Sequence, residues 1–150
     1  MELRPIDLSR DTDQAVAGMR DFISRMDYHD FLPETDEELV GNLHRLLSLE
    51  CIEILVAEHE GNLVGSICLL YSPGIWNTNR LHVEEVFLWV AREAPSTTLL
   101  RLLRWSMKRA KQKGATIITF KSLTSSPTSL DKVYRRLGLR PVETAYMGYC

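Results

Sequence analysis

Cysteine is scarce in this chain. Cys51, Cys68 and Cys150 are its only three in 150 residues. The number is odd and none forms a CxxC pair, so neither a disulfide framework nor a cysteine zinc site is indicated. Cys51 and Cys68 stand in apolar, strand-like runs and are expected to be small core residues. No apolar run approaches the ~20 residues of a membrane span. The residues after Met1 include Glu2, Arg4 and Asp7 rather than an apolar signal core. No membrane association and a cytoplasmic location are therefore expected. A basic excess is also missing: 18 Lys and Arg against 20 Asp and Glu give a net charge of -2, which argues against a general nucleic-acid binder. There is no repeat, no low-complexity stretch, and no Ser/His or Cys/His pairing that would point to a covalent enzyme intermediate. No metal site is expected.

What remains is the composition of an ordinary globular protein, 45% hydrophobic and 25% charged. The length predicts one domain spanning residues 1–150. Charge is unevenly placed. Acids cluster early, at Asp27, Asp30, Glu34, Asp36, Glu37 and Glu38; bases cluster late, at Arg101, Arg104, Lys108, Arg109, Lys111 and Lys113.

The pattern of apolar residues predicts alternating elements. Glu2 to Asp7 reads as a strand. Ser9 to Asp13 offer helix N-caps, and Ala15, Val16, Met19, Phe22, Ile23 and Met26 share a helical face. After a loop from Asp27 to Thr35, Leu39, Leu43, Leu46 and Leu47 mark a second helix over about Asp36 to Ser48. Two strands, Ile52 to His59 and Leu63 to Tyr71, flank Gly61 and Asn62, which tolerate the positive φ of a tight hairpin. Gly65, inside the returning strand, predicts a bulge or a close backbone approach. Ser72 to Arg80, with Pro73, Gly74, Asn77 and Asn79, reads as a loop, and Leu81 to Val90 as a strand. A third helix runs from about Ser96 to Lys113 and ends at Gly114. Thr116 to Lys121 follows as a strand, Leu130 to Leu137 as a short helix before Gly138, and Arg140 to Tyr149 as a closing strand or hairpin. The expected class is α/β (α+β), with a mixed, mostly antiparallel sheet flanked by helices.

This order of elements, together with three local motifs, resembles the GNAT superfamily of acyl-CoA N-acyltransferases over nearly the whole chain. The motifs are the hairpin within Ile54 to Leu70, the stretch from Leu102-Leu103 through Ala110 to Gly114, and Val133-Tyr134-Arg135-Arg136-Leu137-Gly138-Leu139. The last is similar to the family's aromatic-Tyr-x-x-hydrophobic-Gly-Phe signature, with Leu139 in the Phe position. One segment departs from the family. Its Q/R-x-x-G-x-G/A loop, which binds the pyrophosphate of coenzyme A through backbone N–H groups, falls on Ala94-Pro95-Ser96-Thr97-Thr98-Leu99. The family's Arg is Ala94 here, its glycines are Thr97 and Leu99, and Pro95 has no N–H. Small, phage-type members that are similar carry degenerate loops here too.

The resemblance implies an enzyme that moves an acetyl group from acetyl-CoA to a primary amine by direct attack in a ternary complex. The acceptor is a small molecule or a protein, and homodimers occur among similar proteins. The resemblance further implies that the strands Val83 to Val90 and Thr116 to Phe120 splay to hold pantetheine. The backbone of Leu88, Trp89 and Val90 would pair with its amides. The N–H groups of Ser96, Thr97 and Thr98 would meet the pyrophosphate, with Arg92 assisting. Tyr134 is the candidate acid for the leaving thiolate. Glu84 and Glu85 are candidate bases in an otherwise apolar strand, where a carboxyl among apolar groups is held protonated to higher pH. Strict alternation puts Glu85 on the face of Phe87 and Trp89, and Glu84 on that of Val86, Leu88 and Val90. His82 shares the Glu84 face and reads more readily as a structural histidine. Tyr28, His29, Phe31, Asp27, Asp30 and Glu34 lie where similar proteins cover the acceptor, and Trp76 is a candidate for the opposite wall. The alternatives are a catalytically inactive GNAT-fold binding or structural module of phage or mobile-element origin, and an interaction protein that uses its acidic face.

Overall fold

The computed structural model describes residues 1–26, 33, 35–74, 77–123, 126 and 129–143. Its sheet has the strands β1 (Glu2–Pro5), β2 (Ile52–His59), β3 (Asn62–Gly74), β4 (Asn77–Val90) and β5 (Ala115–Thr119), adjacent in that order. β1 to β4 pair antiparallel, and β5 joins β4 in parallel. The class expected from the sequence is the one observed. The helices α1 (Leu8–Ile23) and α2 (Asp36–Leu47) cover one face, and α3 (Thr98–Gln112) and α4 (Ser129–Arg136) belong to the other. Val16, Leu39, Leu43, Ile54 and Cys68 form the core under α1 and α2. Leu55, Ile67, Leu69, Val83, Leu102 and Leu103 form the core under α3 and α4. β2 therefore feeds both cores, which is why Ile54-Leu55-Val56-Ala57 is apolar without interruption.

The helix starts differ from expectation in informative ways. α1 is capped by Asp7, ahead of the Ser9 to Asp13 candidates. Its carboxylate accepts the Ser9 N–H at 3.0 Å, while the buried Asp11 carboxylate accepts the Asp7 N–H at 2.9 Å. β1 consequently stops at Pro5. α2 begins behind Thr35, which forms a reciprocal capping box with Glu38. α3 begins at Thr98, not Ser96, because the Thr98 N–H first closes a turn onto the Pro95 carbonyl at 2.8 Å.

The hairpin between β2 and β3 is tighter than expected. Glu60 (φ 53) and Gly61 (φ 82) carry the positive φ values, and Asn62 already pairs with His59 in the ladder. Gly65 is a close approach, as its place in the strand predicted. A Cβ there would sit 2.8 Å from Leu102 Cδ1, 3.2 Å from Thr98 Cγ2 and 3.2 Å from the Trp89 carbonyl. Gly65→Ala should cost about 1–3 kcal/mol through overpacking, read as a lower urea midpoint at unchanged m-value.

Four expectations are corrected. Ser72 to Arg80 is not a loop among its described residues: β3 continues to Gly74 and pairs with β4 down to Gly74 and Asn77. Pro73 is tolerated because the Tyr71 N–H, two residues earlier on the same edge, makes the last bond to the β2 side, at Cys51. Cys51 itself is exposed, in the turn before β2, whereas Cys68 is buried and its thiol is pushed up to about 12 by desolvation. The third correction concerns β4. Phe87 pairs with Cys68 but Glu85 pairs with Leu69, so Val86 is the extra residue of a bulge and is exposed. The bulge flips the alternation. Glu85 shares its face with Val83, Leu88 and Val90, under α3 and α4, while Glu84 shares a face with Phe87 and Trp89. Arg140 to Glu143 form no strand; residues 144–150 lie outside the described ones.

Candidate active site

β4 and β5 pair only from Leu81↔Ala115 to Glu84↔Thr119. β5 then ends, while β4 runs on to Val90. From Glu85 onward the outer edge of β4 has no strand beside it among the described residues. The strands thus part at Glu85, later than the expected splay over Thr116 to Phe120. The direction of each backbone group on this open edge follows from one bond. The Ala91 N–H donates to the Val64 carbonyl, so Ala91 and Trp89 face β3, and Leu88 and Val90 face outward. Leu88 and Val90 are therefore placed to pair with an extended amide chain.

Trp89 is not. Its backbone faces β3, and its buried ring lies over Gly18 on the opposite face of the sheet. Its indole N–H donates to Asp21 Oδ2 at 2.7 Å. Trp89 is a packing residue between β4 and α1, which corrects its assignment to the cofactor.

At the point of divergence sits Glu85, 4% exposed. Desolvation pushes its carboxyl up to about 7, against the lowering effect of the Lys121 N–H and the Lys121 charge. The carboxylate accepts that N–H at 2.9 Å. The carbonyl of the same Lys121 accepts the Tyr134 hydroxyl at 2.8 Å. Tyr134 is half-buried, stacked on Phe120 with ring centroids 5.8 Å apart. Burial, and then the Glu85 charge, hold its phenol well above the usual range. The backbone of Lys121 thus ties the two sequence-predicted groups together, one from β4 and one from α4.

Glu84 is not part of this cluster. It points to the other face, half-exposed, 3.6 Å from Lys121 Nζ and 3.8 Å from His82 Nδ1. His82 in turn bonds Thr119 Oγ1 at 2.8 Å and serves to join β4 to β5. Of the α3 candidates, Ser96 and Thr97 are exposed, and Thr97 makes no side-chain cap. Thr98 is fully buried with its N–H spent on Pro95, so it is removed from the anion-binding set. Arg92 is exposed on the connection from β4. Tyr28, His29, Phe31, Asp27, Asp30, Glu34 and Trp76 lie outside the described residues. Among the described residues no group of three His, Cys, Asp or Glu could hold a metal ion, and no helix is long and apolar enough to cross a membrane.

Two participants were missed from the sequence. Lys121 enters through its backbone, which no residue pattern marks. Arg25 reaches Val90 across 65 positions, its Nη1 donating to the Val90 carbonyl at 3.1 Å. The signal for the second was Trp89, since a buried indole N–H needs an acceptor, and Asp21 supplies one at the end of α1.

No protein-family model matches the chain, and no curated protein sequence does. Solved structures do. A transcriptional regulator from Bacillus halodurans is 20% identical over 99% of both chains, with a TM-score of 0.81. A ribosomal-protein-alanine N-acetyltransferase from Brucella melitensis is 15% identical over 99% of this chain and 98% of its own, with a TM-score of 0.78. A GNAT family acetyltransferase from Staphylococcus aureus is 14% identical over 99% and 98%, with a TM-score of 0.76. The chain has the GNAT fold.

Proposed function

We propose that this chain is an N-acetyltransferase that moves the acetyl group of acetyl-CoA to a primary amine by direct attack. The observation that carries the proposal is Glu85, a buried carboxyl poised near neutral pH where β4 and β5 part. The edge of β4 and the Tyr134 hydroxyl lie beside it. The outward-facing groups of Leu88 and Val90 fit the amides of a pantetheine arm, and the first turn of α3 with Ser96 and Thr97 fits its phosphates. When bound, acetyl-CoA supplies the thioester whose acyl group is transferred.

Glu85 in its carboxylate form takes the proton of the acceptor ammonium, freeing the nitrogen lone pair. As the C–N bond forms and the C–S bond breaks, Tyr134 would turn its hydroxyl from the Lys121 carbonyl to the departing sulfur, donate its proton there and regain one from the acylated nitrogen, which carries a proton in excess. Glu84, on the other face, has no part in this. The charge layout supports a cationic acceptor and an anionic donor. Only two of the 20 acids follow Thr97, against eleven of the 18 bases, so the helices on the two faces of the sheet differ in sign. A cytoplasmic, amine-bearing small molecule or protein suits this arrangement, and a homodimer is compatible with it.

A second reading rests on the loop before α3. Pro95 has no N–H, and Thr98 has spent its own. A GNAT-fold binding module without catalysis would need no phosphate grip there. Calorimetric titration with acetyl-CoA separates the two. The enzymatic reading expects one site per chain and at least a tenfold loss of affinity in Thr97→Asp, whose charge opposes the phosphates at the helix end. Absence of binding to the wild-type protein would leave the module; unchanged affinity in the variant would put the phosphates elsewhere.

A further inference from the structure

A chain of contacts runs from α1 to the last outward carbonyl of β4. Gly18 makes room for the Trp89 ring: a Cβ there would lie 2.8 Å from Cζ3. The Trp89 indole N–H holds Asp21 Oδ2 at 2.7 Å. Asp21 accepts Arg25 Nε at 3.2 Å and also Arg25 Nη2. The guanidinium, oriented on both sides of its fork, donates through Nη1 to the Val90 carbonyl at 3.1 Å. Of the four backbone groups that Leu88 and Val90 turn outward, one acceptor is therefore already engaged. The Leu88 N–H, the Leu88 carbonyl and the Val90 N–H are left.

We infer that Arg25 is a positioning residue which, through the Val90 carbonyl, fixes the register in which an extended acyl donor pairs with β4. The inference rests on the acetyl-transfer reading of this site. An extended chain added to a strand edge repeats every two residues, so the neighbouring register is displaced by about 7 Å. Reacting atoms must approach to about 3–3.5 Å, so a donor held one register away from Glu85 is bound but unreactive. With Arg25 in place, a donor amide N–H finds its acceptor at Leu88 and meets an occupied carbonyl at Val90. Without Arg25, both carbonyls accept.

The signature of a misplaced register is distinctive. Unreactive binding lowers kcat and KM by one factor and leaves kcat/KM unchanged, because free enzyme and transition state are both unaffected. In Arg25→Met, kcat and KM for acetyl-CoA should each fall about threefold to tenfold, the range of one net hydrogen bond, with kcat/KM within about twofold of wild type. Arg25→Lys, which keeps a donor within reach of Val90, should restore kcat. Unchanged kcat and KM in a folded Arg25→Met protein would overturn the inference, leaving Arg25 as a cover for an exposed strand edge. A fall in kcat/KM that tracks the melting temperature and is not rescued by Lys would overturn it in favour of a structural prop. If wild-type protein neither binds nor turns over acetyl-CoA, the acetyl-transfer reading fails, and this inference with it; turnover by wild type with a silent Arg25 fails the inference alone.

Discussion

Glu85→Gln should make this protein more stable at pH 8 and nearly inactive. Folding raises the Glu85 carboxyl from 4.5 to about 7 by desolvation. Below pH 4.5 the group is protonated folded or unfolded and costs nothing. Between 4.5 and 7 the unfolded chain ionises while the folded one does not, so stability falls as pH rises. Above 7 the loss is complete, on the order of 3 kcal/mol at 1.36 kcal/mol per pKa unit. Gln cannot ionise, and its amide oxygen still accepts the Lys121 N–H. The variant should therefore melt several degrees above wild type at pH 8 and level with it at pH 4, as thermal scans at both pH values would show. Removing the base should lower kcat by about a hundredfold to ten-thousandfold. The rise of wild-type kcat/KM through pH 7 should vanish from the variant. A Gln variant that retains wild-type turnover on the true acceptor would exclude Glu85 as the base. Gained stability with lost activity is what a strained functional group leaves behind.

Tyr134→Phe should remove at least a hundredfold from turnover while acetyl-CoA affinity changes little. The substitution deletes one hydroxyl and keeps the ring stacked on Phe120. The lost bond is to the Lys121 carbonyl, worth about 1 kcal/mol, so the protein should remain folded. Burial keeps the phenol protonated in the resting state, so the hydroxyl carries its proton when the sulfur departs. Turnover equal to wild type would take Tyr134 out of the chemistry. A matched loss of turnover and of melting temperature would assign it to packing.

Much of this site was legible in the sequence, and what was not has physical causes. Glu85 and Tyr134 were both marked, one as a carboxylate in an apolar strand, the other by the Val133-to-Leu139 motif, and the fold brings them to one backbone. The face of Glu85 was misassigned because a bulge at Val86 adds a residue to β4, and period-two alternation contains no sign of it. Val86 is apolar yet exposed, so hydrophobicity gave the wrong side. Trp89 was expected to pair with the pantetheine amides because it lies between Leu88 and Val90; the Ala91–Val64 bond turns its backbone toward β3 instead. α3 starts two residues later than the expected Ser96 because the turn closed onto the Pro95 carbonyl, which no local periodicity marks, decides where the helix begins. Pro73 and Gly74 read as breakers, yet the edge they occupy asks nothing of a missing N–H. Arg25 depends on a contact across 65 residues that no local pattern encodes.

A crystal structure grown with coenzyme A would test where the donor binds. The thioester end should lie beside Glu85 and Tyr134, with the pantetheine amides paired to the outward backbone groups of Leu88 and Val90 and the phosphates at Ser96 and Thr97. Coenzyme A bound away from the β4 edge, or a protein that takes up none at millimolar concentration, would contradict the assignment of this site to acetyl transfer.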